Sequence, residues 1–226
     1  IYKISSGLIT HIPLIKKIAS FKETVIISSG TANRNDLDIA LGAVSKNRKK
    51  QIILLHCVSS YPTPYNQANL SKILKLRDTY KLPVGYSDHV LGYSASIAAV
   101  NLGSVVIEKH FTLDASRKSF DHKISLEPND FKDMVRDINI YKSMVGLENT
   151  WVSENEKINK KWMRRILIAR TDLEVGHKIT KTDVMYMRPV SGTIGLTPEK
   201  DQLIFGKIVK KKITKFSPIK VASLYD

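Results

Sequence analysis

Through residue 146 the chain alternates short apolar runs with stretches of helical periodicity. The runs Tyr2–Ser5, Thr24–Ser28, Gln51–Cys57, Pro83–Ser87 and Ser104–Lys109 predict five strands. Helices are predicted between and after them, over Pro13–Ser20, Asn35–Ser45, Leu70–Tyr80, Tyr93–Asn101 and Pro128–Val145. In the second of these, Leu37, Ala40, Leu41 and Val44 form one stripe; in the last, Phe131, Met134, Val135 and Ile138 do so. Pro128 suits a first helical turn, where a missing N–H leaves nothing unpaired.

Strand–helix alternation, with strands that show little polar alternation, predicts a parallel α/β sheet whose outer face is covered by helices. Two architectures compete, a doubly wound sheet and a (β/α)8 barrel. The strand ends favour the barrel. They run out into Ser5-Ser6-Gly7, Ser28-Ser29-Gly30, His56-Cys57-Val58-Ser59, Ser87-Asp88-His89 and Glu108-Lys109-His110. Polar groups at five successive carboxyl ends fit strands converging on one central site, whereas a doubly wound sheet concentrates them at one switch point. Five strands do not close a barrel of eight, so roughly three further strands are expected ahead of Ile1. The start at Ile1, within a strand pattern, reads as that of a fragment.

After Gly146 the pattern changes. Residues 147–163 are polar, with a short helix expected, and read as a linker. From Arg164 short strands are predicted at Ile166–Ala169, Asp183–Met187, Ile208–Ile213 and Ile219–Ser223, punctuated by Gly176, Pro189, Gly192, Gly195 and Gly206. The expected organisation is a partial barrel over 1–146, the linker over 147–163, and a small β-rich domain over 164–226.

Composition removes several classes. With 42% hydrophobic and 25% charged residues, neither collagen-like nor low-complexity disorder fits. No apolar run is long enough to span a membrane, and no leading signal segment is visible. The one cysteine, Cys57, allows no internal disulfide and suits a reducing cytoplasm. A formal charge of +15 points either to nucleic acid or to a small anionic substrate. No zinc-finger spacing or aromatic RNA-binding strand accompanies it, so the small anion is the preferred partner.

The best metal pair is His89 with His110, because each ends one of two consecutive strands, about 5 Å apart in a sheet. Two imidazoles would leave coordination positions open to substrate and water. The competing reading is a pair of hydrogen-bonding side chains. Glu108 shares the His110 face, His56 reads equally as a core residue, and His11 and His177 read as surface. Ser6-Gly7 and Ser29-Gly30 suit an anion, although Ser-Gly is also a common exit from a strand. By alternation Lys3 faces with Ser5 rather than Ser6. Tyr61-Pro62-Thr63-Pro64-Tyr65 forms a stiff aromatic loop suited to a sugar. Asp121-His122-Lys123 falls in a polar loop where Asp121 could orient a hydroxyl or act as a base.

Taken in order, these blocks resemble the sialic acid (N-acetylneuraminate) synthase family: Lys3–Gly7, Ile26–Gly30, Leu54–Cys57, Tyr61–Tyr65, Gly85–His89, Val106–Asp114 and Asp121–Pro128. The family implies a TIM barrel that condenses phosphoenolpyruvate with N-acetylmannosamine or a related N-acyl amino sugar and releases phosphate, with Mn or Mg as cofactor. By that resemblance His89 and His110 would be metal ligands. Lys3, Ser6, Ser28, Ser59 and Ser87 would serve phosphoenolpyruvate, and Tyr61 and Asp121 the amino sugar. Arg188-Pro189 and Phe205-Gly206-Lys207 are similar to signposts of the family's antifreeze-like (SAF) domain, and Arg188 would reach a partner subunit's site in a domain-swapped homodimer. The spelling around His56 and Asp121 favours the neuraminate or legionaminate branch over the pseudaminate branch. Leu8 stands where the family has an acid, and Pro189-Val190-Ser191-Gly192 departs from its usual loop. With the missing strands, these departures imply an inactive isolated chain and keep open a non-catalytic sugar- or anion-binding remnant.

Overall fold

The computed structural model describes the chain except residues 22, 46–51, 147–150, 191–192 and 226. Gln51 of the third predicted strand, the first four linker positions, and Ser191 and Gly192 therefore lie outside the described residues. The chain divides into two compact units, Ile1–Gly146 and Leu147–Asp226.

The first unit carries β1 (Tyr2–Ile4), α1 (Ile12–Ala19), β2 (Val25–Ser28), α2 (Arg34–Ser45), β3 (Ile52–Cys57), α3 (Lys72–Tyr80), β4 (Val84–Asp88), α4 (Ser94–Asn101), β5 (Ile107–Lys109), α5 (Phe120–Ile124) and α6 (Pro128–Val145). All four strand pairings are parallel, and the spatial order is β1-β2-β3-β4-β5. That order never reverses, so the sheet is singly wound and has no internal switch point.

One face of every strand supplies the core. Ile4, Val25, Ile27, Ile52, Leu54, Val84 and Tyr86 are buried with Ile15 of α1, Leu37, Ala40 and Leu41 of α2, Ile73 and Leu76 of α3, and Ala95 and Ala99 of α4. The helices begin where side chains satisfy their first N–H groups. The His11 Nδ1 accepts from Leu14 N at 3.2 Å, with Pro13 in the first turn of α1. Asn33 and Asp36 exchange side-chain-to-backbone bonds of 3.0 Å at the head of α2.

Two differences from expectation matter for the site. Residues Asp121-His122-Lys123 are helical, within α5, rather than loop; Ser119 caps this single turn by accepting from His122 N. Five residues are too few to show a period of 3.6. Directly after β1, Ser6–Leu8 forms a 3-10 turn, which ends the strand alternation that would have set Ser6 opposite Lys3.

The second unit holds α7 (Glu154–Met163) and an antiparallel pair of strands, β6 (Ile166–Ala169) and β7 (Val184–Met187). The predicted strands at 208–213 and 219–223 are instead single bridges, Ile208 to Lys178, Val209 to Leu224, Ile213 to Leu173 and Pro218 to Ile168. A left-handed Phe216 and a 3-10 turn over Val221–Ser223 interrupt any longer ladder. The apolar positions still face inward: Val209, Ile213, Ile219 and Leu224 join Leu167, Leu173, Ile179 and Ile204 in this unit's own core.

Candidate active site

The other face of the sheet carries the polar residues. Register and alternation place Lys3, Ser28, Cys57, Ser87 and Glu108 on it, opposite the helix-covered core positions. Ser87 Oγ donates to Glu108 Oε1 at 2.6 Å, and Lys3 Nζ lies 3.3 Å from Glu108 Oε2. The first and last strands of the sheet thus meet across its face, which a flat sheet forbids. The sheet is an arc, and this face is concave.

Toward the carboxyl ends the groups close in further. Ser6 Oγ and Ser59 Oγ are 3.2 Å apart, joining the exits of β1 and β3. Gly30, at the exit of β2, lies directly beneath them: a Cβ there would sit 2.7 Å from Ser59 Oγ and closer still to Ser6. Gly30 N donates to the Cys57 sulfur at 3.1 Å. The Ser28 hydroxyl is buried beside the Cys57 thiol, with no well-aligned hydrogen-bond partner among the described residues. Burial pushes the Cys57 thiol above its usual pKa.

At the exits of β4 and β5 the two imidazoles stand together. The His89 and His110 ring centres are 5.4 Å apart, and Tyr61 lies against both, 4.2 Å from His89 and 5.9 Å from His110. A shared divalent ion about 2.1 Å from one nitrogen of each ring requires ring centres within roughly 6.5 Å of one another, and this pair meets that limit. His89 Nδ1 donates to the Val58 carbonyl at 2.7 Å, so its Nε2 keeps a free lone pair. Desolvation holds the His89 pKa below the usual value, against that bond and with help from His110. Among the described residues no three His, Cys, Asp or Glu side chains are grouped to hold a metal by themselves. Two imidazoles alone would leave further coordination positions of a shared ion to other donors, substrate and water among them.

Asp121, on α5, places Oδ1 3.8 Å from His110 Nδ1 and is largely exposed. His122 orients that turn through its Nδ1 contact of 2.7 Å with the buried Thr112 hydroxyl. Arg188 lies exposed just after β7, in the second unit, and is described with that unit alone. His56 faces the helix layer, bonded through Nε2 to the Ala68 carbonyl at 2.8 Å and stacked on Tyr86. His11 and His177 are surface residues. The sequence places Cys57 and Glu108 among the polar strand ends but assigns neither a contact to substrate. Both belong to the concave face, and the signal was there: Cys57 stands two residues after Leu55, and Glu108 pairs in register with Ser87.

A singly wound parallel arc of five strands, with its polar groups gathered at the strand carboxyl ends, defines an α/β half-barrel of the (β/α)-barrel type. Residues 1–150 match the model of the NeuB family, and the chain belongs to that family. It is 39% identical over 213 residues to the N,N'-diacetyllegionaminic acid synthase of Campylobacter jejuni, covering 93% of this chain and 63% of the relative. The pseudaminic acid synthase of the same organism is 34% identical, with 94% and 61% covered. The solved N-acetylneuraminic acid synthetase of Leptospira borgpetersenii, in complex with citrate, superposes with a TM-score of 0.64 at 36% identity, over 71% of this chain and 56% of that one. The chain spans less than two thirds of the length of these relatives.

Proposed function

We propose that this chain carries the carboxyl-side half of the active site of a synthase that joins phosphoenolpyruvate to an N-acyl amino sugar and releases phosphate. The observation that carries the reading is the His89–His110 pair, 5.4 Å between ring centres, at the open end of an arc lined by Lys3, Ser28 and Ser87. The higher identity to a legionaminic than to a pseudaminic acid synthase, 39% against 34%, favours the legionaminate type.

His89 and His110 would hold the divalent ion, Mn or Mg, whose charge would polarise the sugar's open-chain aldehyde. The chain's own side chains supply part of the substrate contacts. Lys3, Ser28 and the free hydroxyl of the Ser6–Ser59 pair donate to the phosphate and carboxylate of the enol substrate, Ser87 joins them by turning its O–H from Glu108, and together they hold the substrate against the aldehyde. Carbon 3 of the enol attacks the aldehyde carbon, water adds at carbon 2, and the tetrahedral adduct loses phosphate by carbon–oxygen cleavage. Tyr61 covers the sugar side of the imidazoles, and Asp121 orients a sugar hydroxyl. We read the second unit as an SAF-type module and Arg188 as its contribution to a partner subunit in a swapped dimer. No helix among the described residues is long and apolar enough to cross a membrane, and we place the enzyme in the cytoplasm.

The test is phosphate release with Mn2+, phosphoenolpyruvate and a panel of N-acyl amino sugars, for the chain complemented by the amino-terminal part of a relative. Release that His89→Ala and His110→Ala abolish supports the reading, and none with any sugar overturns it. A second reading, a binding module that has lost turnover, is favoured by one observation: the half-exposed Leu8 occupies the exit of β1 where the resemblance calls for an acid. Calorimetric binding of phosphoenolpyruvate without turnover would select it.

A further inference from the structure

Directly behind the two imidazoles lies a buried ion pair that the reaction does not touch. Asp88 and Lys109 are register partners at the ends of β4 and β5, and each immediately precedes one of the histidines. Both side chains are fully buried, with Lys109 Nζ 3.5 Å from Asp88 Oδ2. They point to the helix layer, since strand alternation sends His89 and His110 the other way. Asp88 is saturated: Oδ1 accepts from Val90 N at 2.8 Å, and Oδ2 accepts from the Ser96 hydroxyl of α4 at 2.6 Å. Lys109 also donates to the Val90 carbonyl. The residue after His89 is therefore held from both its N–H and its C=O by the residues that precede the two histidines.

We propose that the Asp88–Lys109 pair is a positioning device for the metal-binding imidazoles: it fixes the separation of the β4 and β5 exits and the backbone around His89. This rests on reading His89 and His110 as the metal pair. A buried ion pair is close to break-even for stability against an apolar replacement, so fold stability alone gives little reason to keep two charges at full burial here. What the pair supplies is geometry. It crosses from strand to strand one residue before each ring, ties in α4 through Ser96, and works with the Thr63 N–H bond to the His89 carbonyl at 2.9 Å to leave the His89 main chain no free hinge. Groups bonded directly to a ligating imidazole tune metal binding by about tenfold to a hundredfold, and this pair, acting through the main chain that carries His89, is expected at the lower end of that range.

The test compares D88N/K109M, which removes both charges at similar volume, with the unmodified chain and with Ser96→Ala, a mild loosening. Three quantities are read: melting temperature, Mn2+ affinity by paramagnetic resonance titration, and the metal-free 15N signature of the His89 tautomer. The expected result is a folded double variant melting within a few degrees of the unmodified chain, with Mn2+ affinity down at least about tenfold and the protonated-Nδ1 signature of His89 mixed or exchange-broadened. Ser96→Ala should shift both readouts the same way by less, and it carries the test if the double variant does not fold. Unmodified Mn2+ affinity and an unmodified tautomer in a folded variant overturn the proposal. If Mn2+ binding by the unmodified chain is absent or indifferent to His89→Ala, the metal reading fails, and the metal-free tautomer readout still decides whether the pair positions the ring.

Discussion

Lys3 on the first strand and Glu108 on the last form an ion pair of 3.3 Å across the concave face of the sheet. Four strand spacings of about 4.8 Å would separate β1 from β5 by about 19 Å in a flat sheet, beyond the combined reach of the two side chains. The pair is thus a direct measure of curvature. It also brings a cation to the carboxylate-and-serine cluster at the centre of the candidate site.

Because both partners are about a third exposed, the ion pair adds only about 0–1 kcal/mol to stability. Its function as an anion contact should matter far more. Lys3→Met is expected to leave the melting temperature within a few degrees while weakening phosphoenolpyruvate binding by at least about tenfold, since a charge-assisted contact to phosphate or carboxylate is lost. Parallel thermal melts and calorimetric titrations check this. Equal binding by the variant would remove Lys3 from the site.

The two Ser-Gly exits look alike in the sequence, yet the structure separates them. At Gly30 a Cβ would lie 2.7 Å from Ser59 Oγ, whereas at Gly7 nothing lies within 4 Å. Gly30→Ala should therefore push Ser6 and Ser59 apart, cost about 1–3 kcal/mol by overpacking and raise the KM for phosphoenolpyruvate. Gly7→Ala should be close to neutral in both. Denaturant midpoints of the two variants, and steady-state kinetics after complementation by a relative's amino-terminal part, give the comparison; similar costs at both positions would contradict the close approach at Gly30.

Much of the first unit was legible because local and tertiary signals agree there. The five apolar runs became β1 to β5, and the polar strand ends correctly favoured a singly wound arc over a doubly wound sheet. The His89–His110 approach followed from two consecutive strand ends. What the sequence hid depends on long-range geometry or on elements too short to show a period. The Lys3–Glu108 contact spans the whole sheet, α5 is a single turn, and Ser6 left the strand alternation through a 3-10 turn. In the second unit the apolar positions flanking Lys210-Lys211-Lys212 predict strands, but the buried residues Val209, Ile213, Ile219 and Leu224 stand four to six apart, and turns between them hold the pairing to isolated bridges.

The Thr112–His122 contact, 2.7 Å between Oγ1 and Nδ1, ties α5 to the exit of β5 and so sets where Asp121 stands relative to His110. Thr112→Val keeps the shape and removes the hydroxyl. The expected outcome is a raised KM for the amino sugar, by several-fold, with the KM for phosphoenolpyruvate unchanged. A uniform fall in kcat with both KM values intact would assign α5 a different role.

His56 makes the stability of the first unit depend on pH. Its ring is buried against Tyr86, Nε2 is bonded to the Ala68 carbonyl, and Nδ1 has no partner among the described residues. Desolvation is the main cause of a pKa below the ordinary histidine value; the bond to Ala68 opposes it and Lys72 adds to it. The sign follows from proton counting. Above pH 6.5 the ring is neutral in both folded and unfolded chains and costs nothing. As pH falls below 6.5 the unfolded chain takes up a proton that the folded chain refuses, so stability drops until the folded pKa is reached and then levels off. The loss can approach about 1.4 kcal/mol per pH unit over that window. His89 contributes in the same direction, so the measurement is a difference: unfolding free energies from pH 7.5 to 5 for the unmodified chain and for His56→Gln. The variant should be less stable at pH 7.5 but show a shallower decline on acidification, and identical slopes would relieve His56 of this role.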